Sequence, residues 1–297
     1  PGHHPGRTPT LKELRRNQEL EGGYTSYWQS LPRFEPSPLL RRAQEEPFFK
    51  LRSWRTAATL VDVPSLPEIP AGGRVLEFIC HHKTGENLHT NIKQSLPSGH
   101  FHIEDLSEIH PVGRVLSPRK GLWKIHFIRD PVSVIASGYR YHQHKWGSEI
   151  WDWGHNKLQD PQCFECSSED HAAMFDTCQF NCTYFELLNR LDETSGIATE
   201  ALSARNTLTS MASVLGVLSE DPGTLHLSIN LLRAGYEQTA ACMLKFLGLG
   251  GDAALQKEMA DAAQRVTDPD HVTSGHFDNT RAEAYLRSHP LWGRDFR

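Results

Sequence analysis

Three short apolar runs, each followed by a stretch with helical spacing, organise the chain. The first, GGRVLEFICHH at 72–82, is nearly continuous in apolar residues and opens on glycines, which marks a strand buried on both faces. GENLHTNIKQSL follows as a helix that Pro97 must end. The second run, LWKIHFIR at 122–129, stops at Asp130-Pro131. Proline in the first helical turn gives up no hydrogen bond and the aspartate before it can cap, so VSVIASGYRYHQ reads as a helix that begins at those two residues. The third run, TLHLSIN at 224–230, leads into LLRAGYEQTAACMLKFLGLGG, one helix by its spacing, with a glycine stop. Strands alternating with helices predict an α/β fold with a mainly parallel sheet flanked by helices.

The remaining segments lack this alternation. Residues 1–70 are polar and punctuated by prolines, with short helical candidates in TLKELRRNQELE and PLLRRAQEE, and read as an N-terminal arm wrapping the α/β domain of 71–297. About 146–215 is first aromatic and polar (WGSEIWDWGHN), then rich in cysteine, then helical (YFELLNRLDE and beyond). This predicts an inserted helical cap over the strand ends, where open α/β sheets bind their ligands.

Composition narrows the function classes. With 38% apolar and 23% charged residues over 297 positions, the chain is globular and not disordered. A formal net charge of −5 speaks against a broad nucleic-acid surface, so any cationic site must be focused. No apolar stretch is long enough for a membrane span, and PGHHPGRTPT lacks the apolar centre of a signal peptide. The first residue is not Met, so two settings stay open: the secretory-pathway lumen, with an anchor or signal removed, or the cytoplasm.

Two stretches carry candidate chemistry. In HHKTGENLHTNI a strand gives way to a helix through Lys83, Thr84 and Gly85. Backbone N–H groups of Thr84, Gly85, Glu86 and Asn87 at a helix N-terminus, beside a lysine, form an anion cradle to which Thr84, Asn87, Thr90 and Asn91 can add side-chain donors. The pattern differs from G-x-x-x-x-G-K-[ST], because Lys83 precedes the glycine; the plain alternative is a polar turn. In FIRDPVSVIASGYRYH, Arg129 closes a strand and Ser137 lies on the following helix, a spacing that lets a guanidinium fork and a hydroxyl reach one phosphate. Its plain alternative is an Arg129–Asp130 surface pair.

Together HHKTG and IRDPVSVIASGYR resemble the two phosphate motifs of sulfotransferases that use 3′-phosphoadenosine 5′-phosphosulfate, closest to the K-T-G loop form of carbohydrate-type members. SINLLRAGYEQTAACMLKFLGL is similar to that family's late strand and helix, so the likeness covers roughly 74–145 and 224–250. The resemblance implies a P-loop-like sheet, Lys83 on the sulfate-bearing 5′-phosphate and its leaving oxygen, and backbone donors from Thr84, Gly85, Glu86 and Asn87, with the Glu86 side chain turned outward. It further implies help from Thr90 or Asn91, a 3′-phosphate held by Arg129 and Ser137, and no catalytic metal. Gly99-His100 resembles the glycine-histidine pair whose histidine is the base in carbohydrate sulfotransferases. His102 would share its side if SGHFHIED is a strand, and Glu104 and Asp105 are outsiders. The acceptor is then a hydroxyl or amine of a carbohydrate or small molecule. A P-loop-type kinase and a catalytically idle nucleotide-binding module are the competing readings.

Other features stay open. Cys163, Cys166, Cys178 and Cys182 fit disulfides, a four-thiolate zinc site or free thiols, and the sequon Asn181-Cys182-Thr183 would suit a lumenal setting. Tyr139, Tyr141, Trp146, Trp151 and Trp153 could form an acceptor wall or ordinary core. Thr273, Ser274 and Gly275 fall where a late donor loop would lie, and Arg119-Lys120-Gly121 reads as a solvated turn. His126, one of 17 histidines, reads as a core or edge residue of its strand.

Overall fold

A computed structural model describes residues 32–46, 75–81, 84, 86–97, 101–106, 122–143, 168–267 and 279–295. In chain order the elements are α1 (Pro38–Gln44), β1 (Val75–Ile79), α2 (Glu86–Ser95), β2 (His102–Leu106), β3 (Leu122–Ile128) and α3 (Pro131–His142). They continue with α4 (Ser168–Asp176), α5 (Tyr184–Arg190), α6 (Glu193–Leu218), β4 (Thr224–Ser228), α7 (Ile229–Ala234) and α8 (Tyr236–Phe246). The last are α9 (Ala253–Thr267), α10 (Thr280–Ser288) and α11 (Trp292–Asp295).

The four strands form one parallel sheet in the order β2-β1-β3-β4, as the α/β alternation predicted. Register divides its residues into two unlike faces. Leu76 and Phe78 of β1 align with Trp123 and Ile125 of β3, and Ile125 and Phe127 with Leu225 and Leu227 of β4. With Cys80, these side chains pack against Leu88 and Ile92 of α2, Leu96 just after it, and the apolar sides of α8 and α9. Phe78 and Phe127 stack at 6.2 Å between centroids, and Trp123 meets Phe246 edge-on at 5.0 Å.

The opposite face presents Glu77, Lys124, His126, Thr224 and His226, and the first three are buried. Lys124, fully inaccessible, reaches Asp221 just before β4, with Nζ to Oδ2 at 3.0 Å. Burial pushes the Asp221 carboxyl up, but hydrogen bonds from Thr224, Lys124 and Gly223 outweigh it, and the group stays ionised below the usual carboxylate range. Beyond this face lies a second, helical core built from α1, α3, α4, α5, α6, α10 and α11, which Ile128 of β3 touches.

Local chemistry sets the helix limits. Asp130 caps α3 through Val132 N–H, with Pro131 in the first turn, as expected from the sequence. Thr183 and Glu186 form a reciprocal capping box at the start of α5. One expected helix is two: Gly235 interrupts the run from 229 to 246, ending α7 and opening α8, while Gly248 at φ 74 provides the predicted stop. Inside the helical core a Cβ on Gly138 would overlap the Glu200 carboxylate, which accepts from Tyr184 Oη at 2.7 Å and meets His142 Nδ1 at 2.8 Å. A side chain at 138 would push that carboxylate off its partners where α3 crosses α6.

The described part of the N-terminal arm, 32–46, lies against this core: Leu40 is buried, Phe34 N–H donates to Arg190 O, and Trp292 Nε1 donates to Glu46 O at 2.9 Å. Between 168 and 215 the expected cap consists of α4, α5 and most of α6, packed against α3. Of the cysteine readings, a disulfide is formed between Cys178 and Cys182, closing the turn from α4 to α5, whose Gln179 and Phe180 take positive φ. Cys163 and Cys166 lie outside the described residues.

Candidate functional site

The strand order creates a crevice. From β1 the chain passes through α2 on the apolar face and out to β2; from β3 it passes through α3 into the helical core on the other face and out to β4. The two connections part between β1 and β3, which are adjacent strands about 4.8 Å apart. In open parallel sheets, ligands bind at the carboxyl ends of strands at such a switch point. Both candidate stretches lie here, one after β1 and the other after β3.

After β1 the chain turns on His81. Thr84 N–H and Oγ1 both donate to His81 O, at 2.9 and 2.6 Å, while His81 N–H donates to Thr84 Oγ1 at 2.7 Å. Thr84 is fully buried, so its N–H and hydroxyl shape the turn instead of facing an anion, a departure from the donor role expected of it. Of Glu86 and Asn87 only the backbone at the start of α2 is described, and Lys83 and Gly85 lie outside the described residues. Leu88 and Ile92 anchor α2 in the apolar core, leaving Thr90 exposed and Asn91 half-buried.

After β3, Arg129 stands at the strand's carboxyl end. Desolvation above all, and then the charge of Arg233, lowers its guanidinium to about 10 against the opposing pull of Glu283 and Asp130. Asp130 does not form the plain surface pair with Arg129. Its carboxylate binds Arg287 Nη2 of α10 at 2.6 Å and Ser133 Oγ at 3.2 Å, and Ser133 also reaches Glu283 at 3.3 Å. Helix α10 thereby docks on the corner that holds Arg129. Ser137 lies one turn beyond Ser133 on α3, half-buried.

His102 is elsewhere. It opens β2 in register with Val75, at the amino-terminal edge of the sheet, about 13 Å along the strands from the carboxyl ends. The base role expected of it does not fit that position. His100 lies outside the described residues, as do Arg119, Lys120, Gly121, Trp146, Trp151, Trp153, Thr273, Ser274 and Gly275. Backbone places Glu104 and Asp105 on β2 opposite Glu77 and Phe78. Tyr139, one of the supposed wall residues, is core: it is 1% exposed, accepts from Gln143 Nε2 at 2.7 Å, and burial pushes its phenol far above the ordinary value.

The sequence reading missed a chain of three histidines across the polar face. His81 Nε2 lies 3.0 Å from His126 Nε2, His126 Nδ1 lies 3.0 Å from His226 Nδ1, and His226 Nε2 lies 3.3 Å from Leu218 O. Burial first, then the charges of His81 and His226, hold His126 well below its ordinary value, so it is neutral near pH 7. The available signal was a histidine in or just after each of three strand runs: CHH after β1, IHF in β3 and LHL in β4. Among the described residues, no group of three or more histidines, cysteines or acids is placed to hold a metal ion, and no helix is long and apolar enough to cross a membrane.

The chain was compared with protein-family models, curated proteins and solved structures, and no match was found.

Proposed function

We propose that the protein is a sulfotransferase drawing on 3′-phosphoadenosine 5′-phosphosulfate, with the donor lying across the carboxyl ends of β1 and β3. One observation supports this most: the stretch with Lys83 and the stretch with Arg129 follow adjacent parallel strands at the switch point, the arrangement that a nucleotide with two phosphates would call for. The desolvated Arg129, crowded by Arg233, suits a buried dianion that returns the favourable interactions lost from water. In this reading Arg129 and Ser137 hold the 3′-phosphate. Lys83 and the amides from Gly85 to Asn87 hold the 5′-phosphosulfate, and Thr84 shapes the turn that aims them.

Transfer forms a bond from the acceptor oxygen or nitrogen to sulfur as the sulfur bond to the 5′-phosphate oxygen breaks. The proton of the acceptor passes to a base, and charge grows on the leaving phosphate, where Lys83 and the loop dipoles meet it. The base assigned is His100. A carbohydrate or small-molecule acceptor would be selected by the segment near 146–215.

The deciding experiment is calorimetry and thermal shift with adenosine 3′,5′-bisphosphate beside ATP and adenosine 5′-monophosphate. Selective binding of the bisphosphate, weakened about 10- to 100-fold by Arg129→Ala, is the expected result. His100→Ala should keep that binding and lose turnover. No binding, or equal binding of ATP, overturns the sulfotransferase reading in favour of the kinase one. Tight bisphosphate binding with no transfer to any acceptor supports the idle module.

A further inference from the structure

The turn from α4 to α5 holds two features that the sulfotransferase reading leaves unused, a disulfide and the sequence's one N-x-[ST] triplet, Asn181-Cys182-Thr183. They share a residue: Cys182 is both the middle of the triplet and the partner of Cys178. Disulfides persist in oxidising compartments, and the lumen in which N-linked glycans are attached is one of these.

In the fold the three residues of the triplet have different fates. Asn181 is exposed, and its backbone N–H donates to Cys178 O at 3.0 Å. Cys182 is buried in the helical core beside Cys178. Thr183 is the half-buried cap of α5, where its Oγ1 accepts from Glu186 N–H at 3.2 Å and its own N–H donates to the Glu186 carboxylate at 2.8 Å. Just before the triplet, Gln179 and Phe180 take φ of 52 and 57, a left-handed conformation that residues other than glycine seldom adopt, and Phe180 packs on the helical core.

A transferase reads the hydroxyl of the third residue together with the amide of the asparagine, which is why the triplet must end in Ser or Thr. Here the cap holds that hydroxyl and the disulfide fixes the residue between. The closed turn therefore withholds the triplet even though Asn181 lies at the surface. Before closure the triplet is open. Helix α5, of seven residues, is too short to hold its cap alone and depends on the disulfide and on packing in the helical core. Once attached, a glycan on an exposed residue leaves that core undisturbed.

We propose that Asn181 is an N-linked glycan acceptor whose modification competes with closure of the Cys178–Cys182 turn. The co-reactant is a lipid-pyrophosphate-linked oligosaccharide. A bond forms from Asn181 Nδ2 to the anomeric carbon of the first sugar as the bond from that carbon to the pyrophosphate oxygen breaks; the amide gives up one proton and the lipid pyrophosphate leaves. The proposal does not depend on the donor nucleotide assigned above.

The test directs the full chain into a eukaryotic secretory lumen behind a cleavable signal peptide. Its mass is read before and after peptide:N-glycosidase treatment, on retained and secreted protein together. The unsubstituted chain should carry a glycan on part of the population, with Asp left at 181 after treatment, and Asn181→Gln should carry none. Cys178→Ser with Cys182→Ser keeps an acceptor triplet and removes the covalent closure. Its ratio of modified to unmodified chain should rise about two- to fivefold, because disulfide formation, a slow step, no longer competes. Phe127→Ala, which weakens the sheet's apolar core and leaves the turn intact, should not raise that ratio. Absence of a glycan from both the unsubstituted chain and the double serine variant overturns the proposal. Equal occupancy in those two chains, or an equal rise in Phe127→Ala, overturns the competition with turn closure and the proposal with it.

Discussion

The two faces of the sheet are made by the same strands in the same register, yet one is a hydrocarbon surface and the other a buried layer of charge and imidazole. On the first, Leu76, Phe78, Ile125, Phe127 and Leu227 gain stability simply by leaving water. On the second, Lys124 has lost its hydration entirely and depends on one carboxylate, and His126 depends on two other histidines. Such a layer adds little net stability, because the desolvation cost of each group is offset only by a partner in good geometry. What it adds is direction. A hydrogen bond has a donor end and an acceptor end, which a methyl contact lacks.

The sharpest way to break this comparison is to remove one group from each face. Phe127→Ala should cost about 3–5 kcal/mol, as expected for a fully buried aromatic, and the loss should be the same at pH 7.5 and 5.5 in urea unfolding. Asp221→Ala should cost a similar amount, about 3–5 kcal/mol, because it strands the Lys124 ammonium, and adding Lys124→Met should restore most of it. If the double substitution stays as unstable as Asp221→Ala, the polar face is a source of stability after all and the contrast fails.

The third prediction is smaller and concerns pH. Burial holds His126, His226, His171 and His289 below their ordinary value in the fold. Below about pH 6.5 the unfolded chain therefore binds more protons than the folded one, and stability falls as pH falls through that value. Thermal midpoints should drop from pH 7.5 to 5.5, and His226→Gln should flatten the slope. A slope unchanged by that substitution would leave the pH sensitivity to His126, His171 and His289.

How legible these features were depended on how local their causes are. The limits of β3 and α3 could be read because Asp130-Pro131 acts on its own neighbours. The glycine stop at 248 was equally local, whereas the break at Gly235 hid inside an unbroken apolar spacing. The apolar face was visible in the runs themselves. The histidine chain was not, because His81, His126 and His226 meet only through a register that no single segment encodes. His102 misled for the same reason: its motif says nothing about which edge of the sheet it occupies. Thr84 was assigned outward because its type suits an anion loop, but a hydroxyl three residues beyond His81 can equally fold back on that residue's backbone.

The hydrogen bond from Trp292 to Glu46 spans 246 positions, and Leu40, Leu286 and Trp292 share one core. A ribosome adding about 5–20 residues per second needs roughly 12–50 s to make the partner that Leu40 and Glu46 await. Among the described residues, those contributing to the sheet's apolar core are made once Ala263 has emerged, so during synthesis that half can close first. The helical half is left with an uncovered apolar surface until α11 arrives, and over that interval a nascent chain would be most dependent on chaperones.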